Sequence, residues 1–227
     1  MVVTESSPSA ESAGAPTNLV VQIGFSDYPD PGSVGLSSLL LTTGVFRVPE
    51  TYRVDLANKA VIMTPVGFLD TELGYTASVL PGLSSLAGCG VEATQIAFRT
   101  GDGPVDNPPA PVPTFADVQP ILAASCAAGC HANATGGCLT APLAGLSLCA
   151  AEARDALVDI PSREVSSLLL VAPGDSARSY LLRKVLPATS DGGPIPGTLG
   201  EREPPGAPLT PDQLDTLTAW IDGGALP

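Results

Sequence analysis

Aromatic residues make up only 4% of this 227-residue chain, and charged residues only 15%. So low a share, beside 24 glycines and 24 prolines, argues against a helical bundle and for compact, turn-rich packing of small side chains. Basic residues are scarce too, with ten Lys and Arg against 23 Asp and Glu and a formal net charge of −13. Such a surface repels nucleic acid and anionic lipid, and no basic stripe offsets it. No segment approaches the ~20 apolar residues of a membrane span. The opening MVVTESSPSAESAGAPT has neither a charged n-region nor an apolar h-region, so it reads as a mature or truncated start. Histidine occurs once, at His131, and methionine twice, at Met1 and Met63.

What is present falls into two halves. Residues 1–17 are rich in Ser, Ala, Glu and Pro and are expected to be a disordered tether. Short strand-like runs then recur about every ten residues, at 19–25, 36–41, 52–56, 60–64, 75–80 and 94–100. Tyr52-Arg53-Val54-Asp55-Leu56 alternates apolar and polar, Ala57-Asn58-Lys59 turns the chain, and Val61-Ile62-Met63 continues it as a hairpin. Even spacing of short strands predicts an antiparallel sandwich. The phrase Leu69-Asp70-Thr71-Glu72-Leu73-Gly74-Tyr75-Thr76-Ala77-Ser78-Val79, followed by Gly82-Leu83, Ala87-Gly88 and Phe98-Arg99-Thr100-Gly101, resembles the bacterial Ig-like domains of surface-layer and cell-envelope proteins. The resemblance covers residues 18–101 and implies a spacer or binding module without chemistry of its own. Five prolines in residues 102–113 predict a semi-rigid linker.

A second domain is expected over residues 114–227. Thr114 with Asp117 makes a short capping box, and Phe115, Val118, Ile121 and Leu122 form an apolar helical face that Pro120 is expected to bend. A short helix is expected over 152–158, a β-like run over 166–171, and a helix capped by Ser176. Thr210-Pro211-Asp212-Gln213 opens the last helix, with Leu214, Leu217 and Ile221 inward and Trp220 at the edge.

Four of the five cysteines lie between residues 126 and 149. Clustering of this kind in a loop-rich domain points to an oxidising compartment. Cys126-Ala127-Ala128-Gly129-Cys130-His131 places a histidine directly after the second of two close cysteines. That arrangement attaches haem c: the thiols bond the porphyrin, and the histidine lies beneath the iron as proximal ligand. Three residues separate the cysteines here, one more than the usual spacing, and a small residue can bulge from such a loop. Two other readings stay open. Cys126 and Cys130 could form a local disulfide beside an exposed His131, or they could join Cys138 and Cys149 around a metal ion. A Cys138–Cys149 bridge would close a short loop and stabilise the fold by roughly 2–3 kcal/mol. Cys89 reads as a buried or incidental thiol.

The order Phe115-Ala116-Asp117-Val118-Gln119-Pro120-Ile121-Leu122, Cys126/Cys130/His131, Pro173-Gly174-Asp175, Ser179-Tyr180-Leu181-Leu182, Lys184, Pro204-Pro205-Gly206 and Trp220-Ile221-Asp222-Gly223-Gly224-Ala225 resembles the class I-type cytochrome c domains of exported multidomain bacterial proteins. The resemblance implies a mostly α fold whose first and last helices cross beside the haem. It implies Cys126 and Cys130 as thioether sites and His131 as proximal ligand. That family carries methionine before its Pro-Pro-Gly turn as distal ligand; here the position is Glu203. The iron is then five-coordinate or bound by water, by Glu203, by Lys184 or by a group from another molecule, and loss of thioether ligation should lower the reduction potential. Arg178 and Lys184 are candidates to meet the haem propionates. The whole reads as a multidomain chain, an all-β Ig-like sandwich followed by a cytochrome c-like domain. It would move single electrons to a redox protein partner at the periplasm or cell surface and would not be an enzyme. The competing reading is a haem-free, disulfide-stabilised envelope scaffold or adhesion protein.

Overall fold

The computed structural model describes residues 1–106, 108–127, 129–189 and 195–227, and the chain divides into two compact units, Met1–Pro109 and Ala110–Pro227. In the first unit, residues two apart along each strand turn to the same face. Val21, Ile23 and Phe25 do so in one strand, Val61 and Met63 in another, and Tyr75, Ala77 and Val79 in a third; all are buried. The strands are β1 (Val3–Ser7), β2 (Ser12–Ala15), β3 (Val21–Phe25), β4 (Leu39–Thr43), β5 (Phe46–Arg47), β6 (Glu50–Asp55), β7 (Ala60–Pro65), β8 (Gly74–Val79) and β9 (Thr94–Thr100). They make a four-stranded sheet ordered β1-β3-β7-β6 and a five-stranded sheet ordered β2-β9-β8-β4-β5. Tyr75 and Phe98 stack across β8 and β9 with ring centroids 5.8 Å apart. The 57–59 turn joins β6 to β7 as expected, and the Asp55 carboxylate accepts from the backbone N–H of Asn58 at 3.2 Å.

Residues 1–17 are not a disordered tether. They supply β1, antiparallel to β3, and β2, parallel to β9. Both lie at sheet edges, where backbone hydrogen bonds on one side suffice and few side chains need burial. Thr4 and Glu5 of β1 are exposed, and Ala15 is the one buried residue of β2. A polar composition therefore conceals them.

The second unit is built on short helices: α1 (Phe115–Leu122), α2 (Ala153–Leu157), α3 (Tyr180–Val185) and α4 (Pro211–Asp222). Asp117 accepts from the Thr114 N–H at 2.8 Å, and the Gln213 side chain accepts from the Thr210 N–H at 2.9 Å, so both capping boxes form. Pro120 has no N–H to offer the preceding turn, and three residues later α1 passes into a π-helical stretch, Ala123–Ala127. Asp175, not Ser176, caps the next turn by accepting from the Arg178 N–H at 3.0 Å, and α3 begins only at Tyr180. The expected strand over 166–171 is reduced to isolated bridges of Leu169 and Val171.

Trp220 sits in the middle of the packed face, not at its edge; it is fully buried. Its ring lies 5.6 Å from that of Phe115, so α1 and α4 pack against each other. The indole N–H donates to the Leu226 carbonyl at 2.8 Å, and the Phe115 N–H donates to the same oxygen at 3.0 Å. That satisfied N–H is what lets an indole sit wholly inside. Trp220→Ala should cost about 3–5 kcal/mol of unfolding free energy, read from a urea titration of the full chain as a lowered midpoint for this unit.

Candidate functional site

The π-helical stretch delivers Cys126 to the end of α1, where its side chain is half-buried while Cys130 is exposed. A π stretch accommodates one residue more than an α turn, and such stretches often mark functional sites. Beyond it, the Ala127 carbonyl accepts from the N–H groups of Cys130 (3.2 Å), His131 (3.1 Å) and Ala132 (2.6 Å). Gly129 takes φ +82°, which favours glycine, and its N–H reaches the Ala132 carbonyl at 2.9 Å. Residues 129–132 thus fold back onto Ala127.

The imidazole of His131 is held from one side. Its Nδ1 lies 3.0 Å from the Leu146 carbonyl oxygen. A carbonyl can only accept, so Nδ1 carries a proton, and in the neutral ring the lone pair is on Nε2. Metal-ligating histidines are commonly oriented in this way, by a backbone carbonyl on the second nitrogen. Leu146 belongs to the segment spanned by the Cys138–Cys149 disulfide, whose Cα atoms are 4.9 Å apart. The same segment bonds the cysteine loop twice more: Leu143 N–H to the Cys130 carbonyl and Leu148 N–H to the His131 carbonyl, both at 2.9 Å.

The sulfurs of Cys126 and Cys130 are not bonded to each other. Burial pushes the Cys126 thiol up to about 11, helped by the negative charge of Glu203 and by Cys130. At neutral pH the thiol is therefore protonated. That is the reverse of a dithiol oxidoreductase, which works through a depressed cysteine pKa. The disulfide also removes two of the four sulfurs that a four-cysteine metal site would need. Among the described residues, the one group of three or more such side chains with ligand atoms within 4.8 Å is Cys138, Cys149 and Glu152, and its two sulfurs are already bonded to each other.

Glu203 is half-buried, and its backbone N–H donates to the Lys184 carbonyl at 2.9 Å, which ties its loop to α3. Its carboxylate has no hydrogen-bond or ion-pair partner among the described residues. Lys184 is engaged elsewhere: its ammonium bonds Glu164 at 3.1 Å and also the Leu199 carbonyl. Tyr180 donates to the same Glu164 carboxylate and accepts from the Leu199 N–H at 3.2 Å. Burial and the Glu164 hydrogen bond push the Tyr180 hydroxyl up to about 12. Burial opposes ionisation of Glu164, but hydrogen bonds from Tyr180 and Lys184 hold its carboxyl below the usual range. Lys184 is thus a brace for the loop ahead of Glu203. Arg178 pairs with Asp175 at 3.7 Å.

Neither Leu146 nor Glu164 was signalled by the sequence. One acts through its backbone, and the other is a carboxylate whose partners lie 16 and 20 residues away. In the first unit, Cys89 is exposed, not buried, with its N–H on Ser85 Oγ at 3.2 Å. No helix among the described residues is long and apolar enough to cross a membrane.

The bacterial Ig-like domain family matches residues 1–100, so the first unit is an Ig-like module. Similar solved structures include the copper-resistance protein PcoC from Escherichia coli, at 19% identity and TM-score 0.36 over 43% of this chain and 97% of that one. CopC from Methylosinus trichosporium OB3b is 17% identical, with TM-score 0.37 over 48% of this chain and 98% of that one. The N-terminal part of the bacterial S-layer protein SbsC is 14% identical, with TM-score 0.36 over 44% of this chain and 23% of that one. No curated protein matches the chain.

Proposed function

We propose that Ala110–Pro227 is a cytochrome c-like domain carrying one covalent haem c, and that the chain is an exported one-electron carrier with an Ig-like spacer ahead of it. The observation that carries this reading is the setting of His131: it directly follows Cys130, its Nδ1 is fixed on the Leu146 carbonyl, and its Nε2 is left to ligate. The donor set fits the group. Two unbonded cysteine sulfurs and one oriented imidazole lie within six residues, and the α1–α4 crossing is of the kind this family uses.

Haem c supplies reversible one-electron exchange at its iron. The protein's part is attachment, orientation and exclusion of water. Cys126 and Cys130 would hold the haem through thioether bonds, each S–H adding across a vinyl C=C with no net oxidation. His131 would hold the iron through Nε2, with Leu146 keeping the ring from turning. Glu203, on the loop tied to α3, would be the candidate second ligand. A redox partner would meet a surface of net charge −13, so a basic docking face suits it, and association should weaken as salt rises. The disulfide and the Ig-like module support a periplasmic or cell-surface setting.

The test is production of the full chain with haem c maturation machinery, followed by a visible spectrum and intact mass after denaturation. Glu203→Met should raise the midpoint potential by roughly 0.1–0.2 V, within the ~0.8 V that axial ligands govern. An unchanged potential places Glu203 away from the iron. The three-residue spacing between Cys126 and Cys130 favours one other reading, a relic of the same fold serving as a haem-free envelope scaffold. A wild-type chain without porphyrin would establish it.

A further inference from the structure

Arg202, next to Glu203, carries an anomaly. Its Nη2 donates to the Gly206 carbonyl at 3.0 Å, but its Nη1 is buried without any hydrogen-bond partner. A buried guanidinium nitrogen left unpaired costs free energy, because water has been removed and nothing replaces it. The other basic side chains of this unit are all engaged. Arg154 holds the Ala225 carbonyl at 2.9 Å, Arg163 the Ala144 carbonyl at 2.8 Å and Arg183 the Ala177 carbonyl at 3.0 Å. Arg178 pairs with Asp175 at 3.7 Å and Lys184 with Glu164 at 3.1 Å. Among the described residues, Arg202 Nη1 is the one buried cationic nitrogen with nothing to bond.

We propose that Arg202 is the propionate anchor of the haem, its free Nη1 pairing with a propionate carboxylate while Nη2 keeps the 202–206 turn closed. This rests on the haem reading above. A haem brings two carboxylates, and a planar guanidinium matches a carboxylate better than an ammonium does. The loop is in the right place: Glu203 is bonded through its backbone to α3, and its charge acts on the Cys126 sulfur. Glu201 and Glu203 flank Arg202 in sequence but do not pair with it.

The full chain is compared with and without covalent haem, as wild type, Arg202→Leu and Arg202→Lys. In the haem-loaded protein Arg202→Leu should lower the melting temperature by about 5 °C and lower the midpoint potential, since a positive charge near the iron favours the reduced state. Arg202→Lys should recover most of the potential and part of the melting temperature. In the haem-free protein Arg202→Leu should be neutral or stabilising, because it removes an unpaired buried cation. Equal destabilisation of both forms, or an unaltered potential in the loaded Arg202→Leu protein, overturns the propionate assignment and leaves the haem reading intact. A wild-type chain that takes up no porphyrin overturns both.

Discussion

Replacing Cys126 and Cys130 together by alanine is expected to abolish covalent porphyrin attachment in protein made with haem c maturation machinery. Wild-type chain should keep its Soret band through denaturation and show an intact mass one haem larger than the polypeptide. The double variant should show neither. Each single variant should retain one C–S bond and give reduced, heterogeneous loading. The effect is all-or-none because nothing else on the described surface can bond a vinyl group: Cys138 and Cys149 are committed to each other, and Cys89 belongs to the other unit. The raised Cys126 pKa adds a condition. With the thiol protonated at neutral pH, spontaneous addition should be slow, so loading should depend on the maturation machinery and not on free haem alone. His131→Ala separates the roles. It should leave both sulfurs reactive yet change the spectrum, because the chain has no second imidazole to take the iron. A wild-type mass equal to the bare polypeptide, with Cys126 and Cys130 oxidised to each other, would end the electron-carrier reading.

The features legible in the sequence are those with a local cause. Six strand runs of the first unit announce themselves by alternation, and each corresponds to an observed strand: β3, β4, β6, β7, β8 and β9. The strands that composition hides are β1, β2 and β5, edge strands whose pairing draws on the backbone more than on buried side chains. In the second unit the capping residues Thr114 and Thr210 fix α1 and α4 to within a residue, because a cap is a short-range hydrogen bond. Trp220 was placed at the rim because helical spacing alone ranks it there. Its burial depends on Phe115, about a hundred residues earlier, and on a carbonyl six residues later. The site divides in the same way. Cys126, Cys130 and His131 are contiguous and could be read directly. Leu146, which orients the His131 ring, and Glu164, which holds Tyr180 and Lys184, act across distances that no local pattern encodes.

Cys138→Ala with Cys149→Ala should lower the unfolding free energy by about 2–3 kcal/mol, through the entropy regained by a loop of this length in the unfolded chain. The structure implies a second effect beyond that entropy. Among the described residues, the bridged segment sends three hydrogen bonds to the cysteine–histidine loop: Leu143 to Cys130, Leu146 to the His131 ring, and Leu148 to the His131 backbone. If the bridge acted only on the unfolded state, amide exchange would accelerate by a similar factor across the unit, about tenfold for each 1.4 kcal/mol lost. If it also holds the segment against His131, the amides of Leu143 and Leu148 should accelerate well beyond those of Ile121 and Trp220, which are buried on α1 and α4. Hydrogen exchange read residue by residue in wild type and double variant distinguishes the two. Uniform acceleration would confine the disulfide to chain stability. Selective acceleration would make it the clamp that keeps the His131 imidazole on the Leu146 carbonyl.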